Sequence, residues 1–216
     1  RAAPAAPAPT RVLLVGDQLA GSLDAAMRSL DAKRFEVQVA ASPDCGLTEG
    51  GWVQLGDGRV ELDSDRCGSV GPLRDALDGS FRPDVVLVWG GVRDVATRRL
   101  DVDGSWAAPG TPEVDRFLEA GVRELVGRLS SGGAEVALLT MPVVTRPGDP
   151  APLPPAPAPA NPIEAQQQRN EKFALDTVAK GAPAPVHGEA TPERVAAFNA
   201  VLGRIAGDRV RVIDTA

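Results

Sequence analysis

One histidine, His187, and two cysteines, Cys45 and Cys67, are the chain's whole stock of imidazole and thiol among 216 residues. A structural zinc site needs four ligands at set spacings, which this inventory cannot supply, so no metal is expected. His187 lies within Pro185-Val186-His187-Gly188 and reads as an exposed loop residue, not a general base. The acidic run Glu61, Asp63, Asp65 lacks the glycine and the distal bidentate glutamate of a calcium loop, and reads as a solvated turn. Gly16-Asp17-Gln18-Leu19-Ala20-Gly21 follows an apolar run, as a dinucleotide-binding turn does. Gln18, however, stands where a second glycine must let the backbone approach pyrophosphate, and no acidic residue closes the next strand. No cofactor is therefore expected.

The elements that must position any remaining chemistry alternate in type. Arg11–Val15, Phe35–Ala40, Asp84–Trp89, Glu135–Thr140 and Val210–Asp214 are short apolar or alternating runs that predict strands. Between them, Leu19–Leu30 carries Leu19, Leu23, Ala26, Met27 and Leu30 at helical spacing, and Val70–Leu77 predicts a short helix. Thr111–Leu129 begins with a capping Thr111 and Pro112 and lines up Val114, Leu118, Val122, Leu125 and Leu129. Thr191-Pro192 repeats that start before Val195, Phe198, Leu202 and Ile205. Strands alternating with helices predict a three-layer α/β/α sandwich around a mostly parallel sheet of about five strands.

In such a sheet, sites form where loops leave the carboxyl ends of the strands. Those places are Gly16-Asp17-Gln18, Ala41–Gly46, Gly90–Asp94, Thr140–Val144 and Asp214 onward. Asp17 and Asp94 also suit caps for the turns that follow their strands. Trp52 and Trp106 read as loop packing, and Trp89 as core.

Composition narrows the class. With 43% hydrophobic and 24% charged residues the chain is globular, and a net charge of −6 with scattered arginines gives no basic face for nucleic acid. No apolar run reaches the ~20 residues that span a bilayer. Proline concentrates in two places. Residues 1–10 read as an Ala/Pro linker, expected to tether the domain 11–216 to a longer parent chain, and 148–191 as a flexible, Pro-rich insertion. The two cysteines serve either as free buried thiols or as one disulfide closing a loop of roughly 22 residues, which the chain-entropy model values at about 3 kcal/mol. The Gly- and Asp-rich segment between them offers little core of its own, which favours the disulfide and an extracytoplasmic compartment.

Gly16-Asp17-Gln18-Leu19 after an apolar strand resembles the Gly-Asp-Ser-Leu block of the SGNH (GDSL) hydrolases at three of four positions. Gly91-Val92-Arg93-Asp94 is similar to their Gly-x-Asn-Asp block, again directly after a strand. Cys45-Gly46-Leu47, Cys67 and Phe81-Arg82-Pro83-Asp84-Val85-Val86-Leu87, with Arg194, Phe198 and Asn199 in the last helix, look closest to one branch. That branch is the extracytoplasmic SGNH domain at the C-terminal end of actinobacterial acyltransferase-3 membrane proteins. The resemblance covers Arg11–Val144 and Thr191–Asp214.

The resemblance implies ester chemistry, with a serine nucleophile, a late histidine base, and an oxyanion held by backbone amides and an asparagine. This chain departs from it at each catalytic position. Gln18 occupies the nucleophile position, Arg93 the asparagine position, and no Asp-x-x-His block is present. The implied function is therefore that of an auxiliary or acceptor-binding domain of an envelope O-acyltransferase, partnered by a membrane domain on the same chain and a glycan or glycolipid acceptor. The candidate cleft residues are Asp17, Gln18, Gly46, Gly91, Arg93 and Asp94. Arg93 is expected to hold an anion or to pair with Asp94 or Asp17. An alternative is a secreted pseudoenzyme that binds a glycan or an anionic ligand.

Overall fold

The computed structural model describes residues 8–42, 45–55, 58–63, 79–143 and 190–215. The expected helix Val70–Leu77 and the residues Asp65, Cys67 and His187 lie outside them, as does nearly all of the Pro-rich segment 148–191.

Five strands form one parallel sheet: β1 (Thr10–Gly16), β2 (Phe35–Ala41), β5 (Val85–Trp89), β7 (Glu135–Leu139) and β8 (Val210–Ile213), in the order β2-β1-β5-β7-β8. This is the expected α/β/α sandwich. The chain leaves β1 towards one edge and, after returning to β5, proceeds to the other, so β1 and β5 flank the point where the winding reverses. Right-handed crossovers then place the helices on both faces. Register levels the strand ends there: Gly16 pairs with Ala41 on one side and Trp89 on the other. Asp17, Ser42 and Gly90 therefore emerge side by side on one rim.

The two long helices are α3 (Pro112–Ser130) and α4 (Pro192–Ile205). α3 buries Val114, Leu118, Val122, Leu125, Val126 and Leu129, and α4 buries Val195, Phe198, Val201, Leu202 and Ile205, as their periodicity predicts. Side chains of this size contribute about 1.5–3 kcal/mol each when fully buried. Outside the core, Arg204 Nε reaches Glu119 Oε2 at 2.8 Å and Arg123 Nη2 donates to Arg204 O at 2.8 Å, which ties the helices across solvent.

Two expectations need correction. The predicted helix Leu19–Leu30 is instead two short pieces, α1 (Gln18–Ser22) and α2 (Asp24–Arg28), with Leu23 between them. Gly21 and Ser22 are poor helix residues. The Ser22 hydroxyl donates to Leu19 O at 2.6 Å and the Leu23 amide turns back to Ala20 O, which ends the first turn. The expected apolar stripe is consequently not buried: α2 buries no residue and Leu30 is 40% exposed.

The second correction concerns the region between the cysteines. It carries β3 (Trp52–Gln54) and β4 (Val60–Leu62), which join β6 (Thr97–Arg99) in a three-stranded antiparallel sheet ordered β4-β3-β6. Val53 is completely buried there, so this region has core contacts of its own. Trp52 and Trp106 are half-buried at this sheet, and Trp89 is half-buried with its Nε1 donating to Thr140 O at 3.2 Å.

Candidate functional site

The candidate residues gather on the rim around two buried carboxylates. Asp17, 1% exposed, stands between β1 and α1. Its Oδ1 accepts from the Leu19 amide at 2.8 Å, and its Oδ2 from the amides of Gly91 at 2.9 Å and Val92 at 3.0 Å. One side chain thus caps α1 and pins the loop after β5, extending the capping role expected for it. Burial pushes its carboxyl above the usual carboxylate range, and the three amides oppose the shift.

Asp94 does the same for the loop after β2. It is fully buried and accepts from the Leu47 amide at 2.6 Å, the Thr48 amide at 3.0 Å and the Thr48 hydroxyl at 2.5 Å. Burial raises this carboxyl too, against the pull of Arg98, whose Nη2 lies 3.6 Å away. Gly46 sits directly over it: a Cβ there would come within 3.0 Å of Asp94 Oδ1. Gly91 has φ +121°, and a Cβ would lie 2.4 Å from Cε1 of the buried Phe198 ring of α4. Only glycine satisfies both constraints at Gly91. Gln18, half-buried, opens α1 beside this cluster.

Arg93 does not pair with Asp94 or Asp17. Its Nε donates to Asp63 Oδ1 at 2.8 Å and its Nη2 to Glu61 Oε2 at 3.1 Å, both in or beside β4. Burial favours loss of its proton, but the two carboxylates outweigh that and hold the guanidinium charged. This also corrects the reading of Glu61, Asp63 and Asp65 as a solvated turn, because Asp63 is only 4% exposed and anchors two arginines. The second is Arg98, a residue the sequence reading did not single out. Completely buried, Arg98 donates through Nη1 to Asp63 Oδ2 at 2.6 Å and Gly50 O at 3.2 Å, and through Nη2 to Arg93 O at 3.3 Å. Its guanidinium also lies 5.4 Å from the centre of the Phe117 ring. The signal was present as Asp94 and Arg98 four residues apart around the wholly buried Val95 and Ala96.

Two further side chains brace the rim. Asn199 of α4 accepts from Met141 N at 2.8 Å and donates to Met141 O at 3.0 Å, so its amide copies a neighbouring strand at the exit of β7. Arg194 reaches Thr97 Oγ1 at 2.9 Å and connects the start of α4 to β6.

Cys45 is buried, its Sγ 3.2 Å from Ser42 Oγ; its expected partner Cys67 lies outside the described residues. A cavity of about 120 Å³ opens beneath Cys45–Thr48, between the ends of β1 and β2 and residues Gly121–Leu125 of α3. Gly16 and Gly46 line it, and Arg93 does not. Among the described residues, no three His, Cys, Asp or Glu side chains converge as metal ligands, and no helix is long and apolar enough to cross a membrane.

Compared with protein-family models the chain matches none, and it matches no curated protein.

Proposed function

We propose that this chain is an SGNH-like domain of an envelope O-acyltransferase that binds the glycan or glycolipid acceptor and does not itself cleave esters. The observation that supports this is the convergence of three segments on one rim. Asp17 joins Gly16-Asp17-Gln18-Leu19 to Gly91-Val92, and Asp94 joins the latter loop to Gly46-Leu47-Thr48. These are the segments on which the resemblance rests, and they meet where a doubly wound sheet reverses its winding, the usual place for a ligand. The cavity beneath Cys45–Thr48 has room for a small group such as an acetyl.

The non-hydrolytic part of the proposal follows from the side chains. Gln18 has no nucleophilic atom to activate, and Arg93 is held by Asp63 and Glu61. The reading places the domain outside the cytoplasm and pairs Cys45 with Cys67, the other cysteine of the chain.

Separated membrane and culture fractions test it through the intact mass of the native protein. A species far above 22.4 kDa in the membrane fraction supports attachment to a membrane partner. A species near 22.4 kDa in the medium overturns it and leaves a secreted binder. Binding is tested on the full chain by amide resonances. Saturable movement of Gly46, Gly91 and Val92 on adding uncharged methyl glucoside, whose free hydroxyls are those of an acceptor, supports acceptor binding, and no movement refutes it.

A further inference from the structure

We infer that the rim at the β1/β5 reversal, with the adjoining cavity beneath Cys45–Thr48, takes an uncharged ligand and excludes phosphate and carboxylates, because the chain's own carboxylates already occupy the donor groups that would recognise them. This deepens the proposed function and rests on its placing a ligand at this rim. In doubly wound sheets an anion binds at the reversal by collecting convergent backbone amides. Here the Leu19, Gly91 and Val92 amides converge within 3.0 Å of one carboxylate, Asp17. The Leu47 and Thr48 amides and the Thr48 hydroxyl converge in the same way on Asp94. Both carboxyls are buried, at 1% and 0% exposure, so each nest is closed as well as filled.

The two guanidiniums of this cluster, Arg93 and Arg98, are engaged too. Arg93 is held through Nε and Nη2 by Asp63 and Glu61, and Arg98 lies wholly buried between Asp63 and Asp94. Three carboxyl groups, Glu61, Asp63 and Asp94, thus face two guanidiniums, leaving the cluster with an excess of negative charge that repels an incoming anion. A neutral ligand carries no net charge for that field to repel. An ester carbonyl or a sugar hydroxyl needs one donor or acceptor at a time, and it does not have to displace a buried carboxylate.

The test is a set of amide-resonance titrations on the full chain with inorganic phosphate, formate and uncharged methyl glucoside. The wild-type protein is expected to show no saturable shift at Leu19, Gly91 or Val92 with phosphate or formate. Saturable phosphate shifts at those amides overturn the inference. Asp17→Ala vacates the nest while leaving its amides in place, and is expected to bind formate at least about tenfold more tightly than wild type, the equivalent of one charge-assisted hydrogen bond. A folded Asp17→Ala protein with no gain for formate also overturns it. The wild-type titration needs no variant and decides the matter even where Asp17→Ala does not fold. A wild-type protein that ignores both phosphate and methyl glucoside upholds the exclusion of anions and overturns the proposed acceptor binding, so the two failures are distinct.

Discussion

Asp94 offers the sharpest test of how this rim is held. Asp94→Ala removes the acceptor of the Leu47 and Thr48 amides and of the Thr48 hydroxyl, and takes away the carboxylate 3.6 Å from buried Arg98. Hydrogen bonds to a charged group contribute about 1.5–3 kcal/mol each, and an orphaned buried donor costs about 1–3 kcal/mol. The Thr48 hydroxyl can rotate to another acceptor, so the two amides and Arg98 carry most of the loss. The sum is about 4 kcal/mol, within the roughly 3–5 kcal/mol found when one partner of a buried pair is removed. Asp94→Asn keeps the shape and one acceptor oxygen but turns an amide N–H₂ towards a donor, for a cost of about 2–3 kcal/mol. Thr48→Val deletes only the hydroxyl contact and costs about 1 kcal/mol. Urea unfolding at neutral pH, followed by the fluorescence of Trp52, Trp89 and Trp106, measures all three. The order Asp94→Ala, then Asp94→Asn, then Thr48→Val is the expected result. If Asp94→Asn costs no more than Thr48→Val, the buried carboxylate is not the anchor and the reasoning is refuted.

Gly91→Ala combines a positive φ of +121° with overlap of the Phe198 ring, and is expected to lose about 2–6 kcal/mol, whereas Gly127→Ala, mid-helix with nothing within 4 Å of the added Cβ, gains about 0.5–1 kcal/mol. Equal effects in urea unfolding contradict the packing described. Asp17 and Asp94 have folded-state pKa values raised by burial, so each favours its proton in the folded protein; their contribution to stability is greatest below the unfolded carboxylate range and declines as pH rises through their folded values. Asp94→Asn is expected to remove its share of that decline, and an unchanged difference between wild-type and variant urea midpoints across acid and neutral pH contradicts the assignment. Gln18→Ser alone is expected to give no hydrolysis of p-nitrophenyl acetate above background, because Arg93 remains bound to Asp63 and Glu61; an acyl-enzyme burst contradicts this.

The main sheet was legible in the sequence because each of its strands is a short apolar run bounded by turn residues. The two long helices were legible because Thr-Pro starts at Thr111 and Thr191 precede an unbroken 3.6-residue stripe, although only Thr191 caps with its side chain, the Thr111 hydroxyl donating instead to Ala108 O. These are local signals, carried by neighbouring residues. The sequence also located Asp17 and Asp94, since strand ends in a parallel sheet are where loops converge. What it did not determine was which partners those carboxylates take. Asp94 bonds residues 46 and 47 positions away, and Arg93 bonds Asp63 across 30. Nothing in local periodicity records such a pairing. The three-residue strands β3, β4 and β6 are shorter than any window in which alternation stands out, and their sheet closes only when residues 97–99 fold back on 52–54. Only that tertiary closure turns an acidic run into the buried counter-charge of two arginines, because burial makes an unpaired charge too costly to leave and forces each to find its opposite.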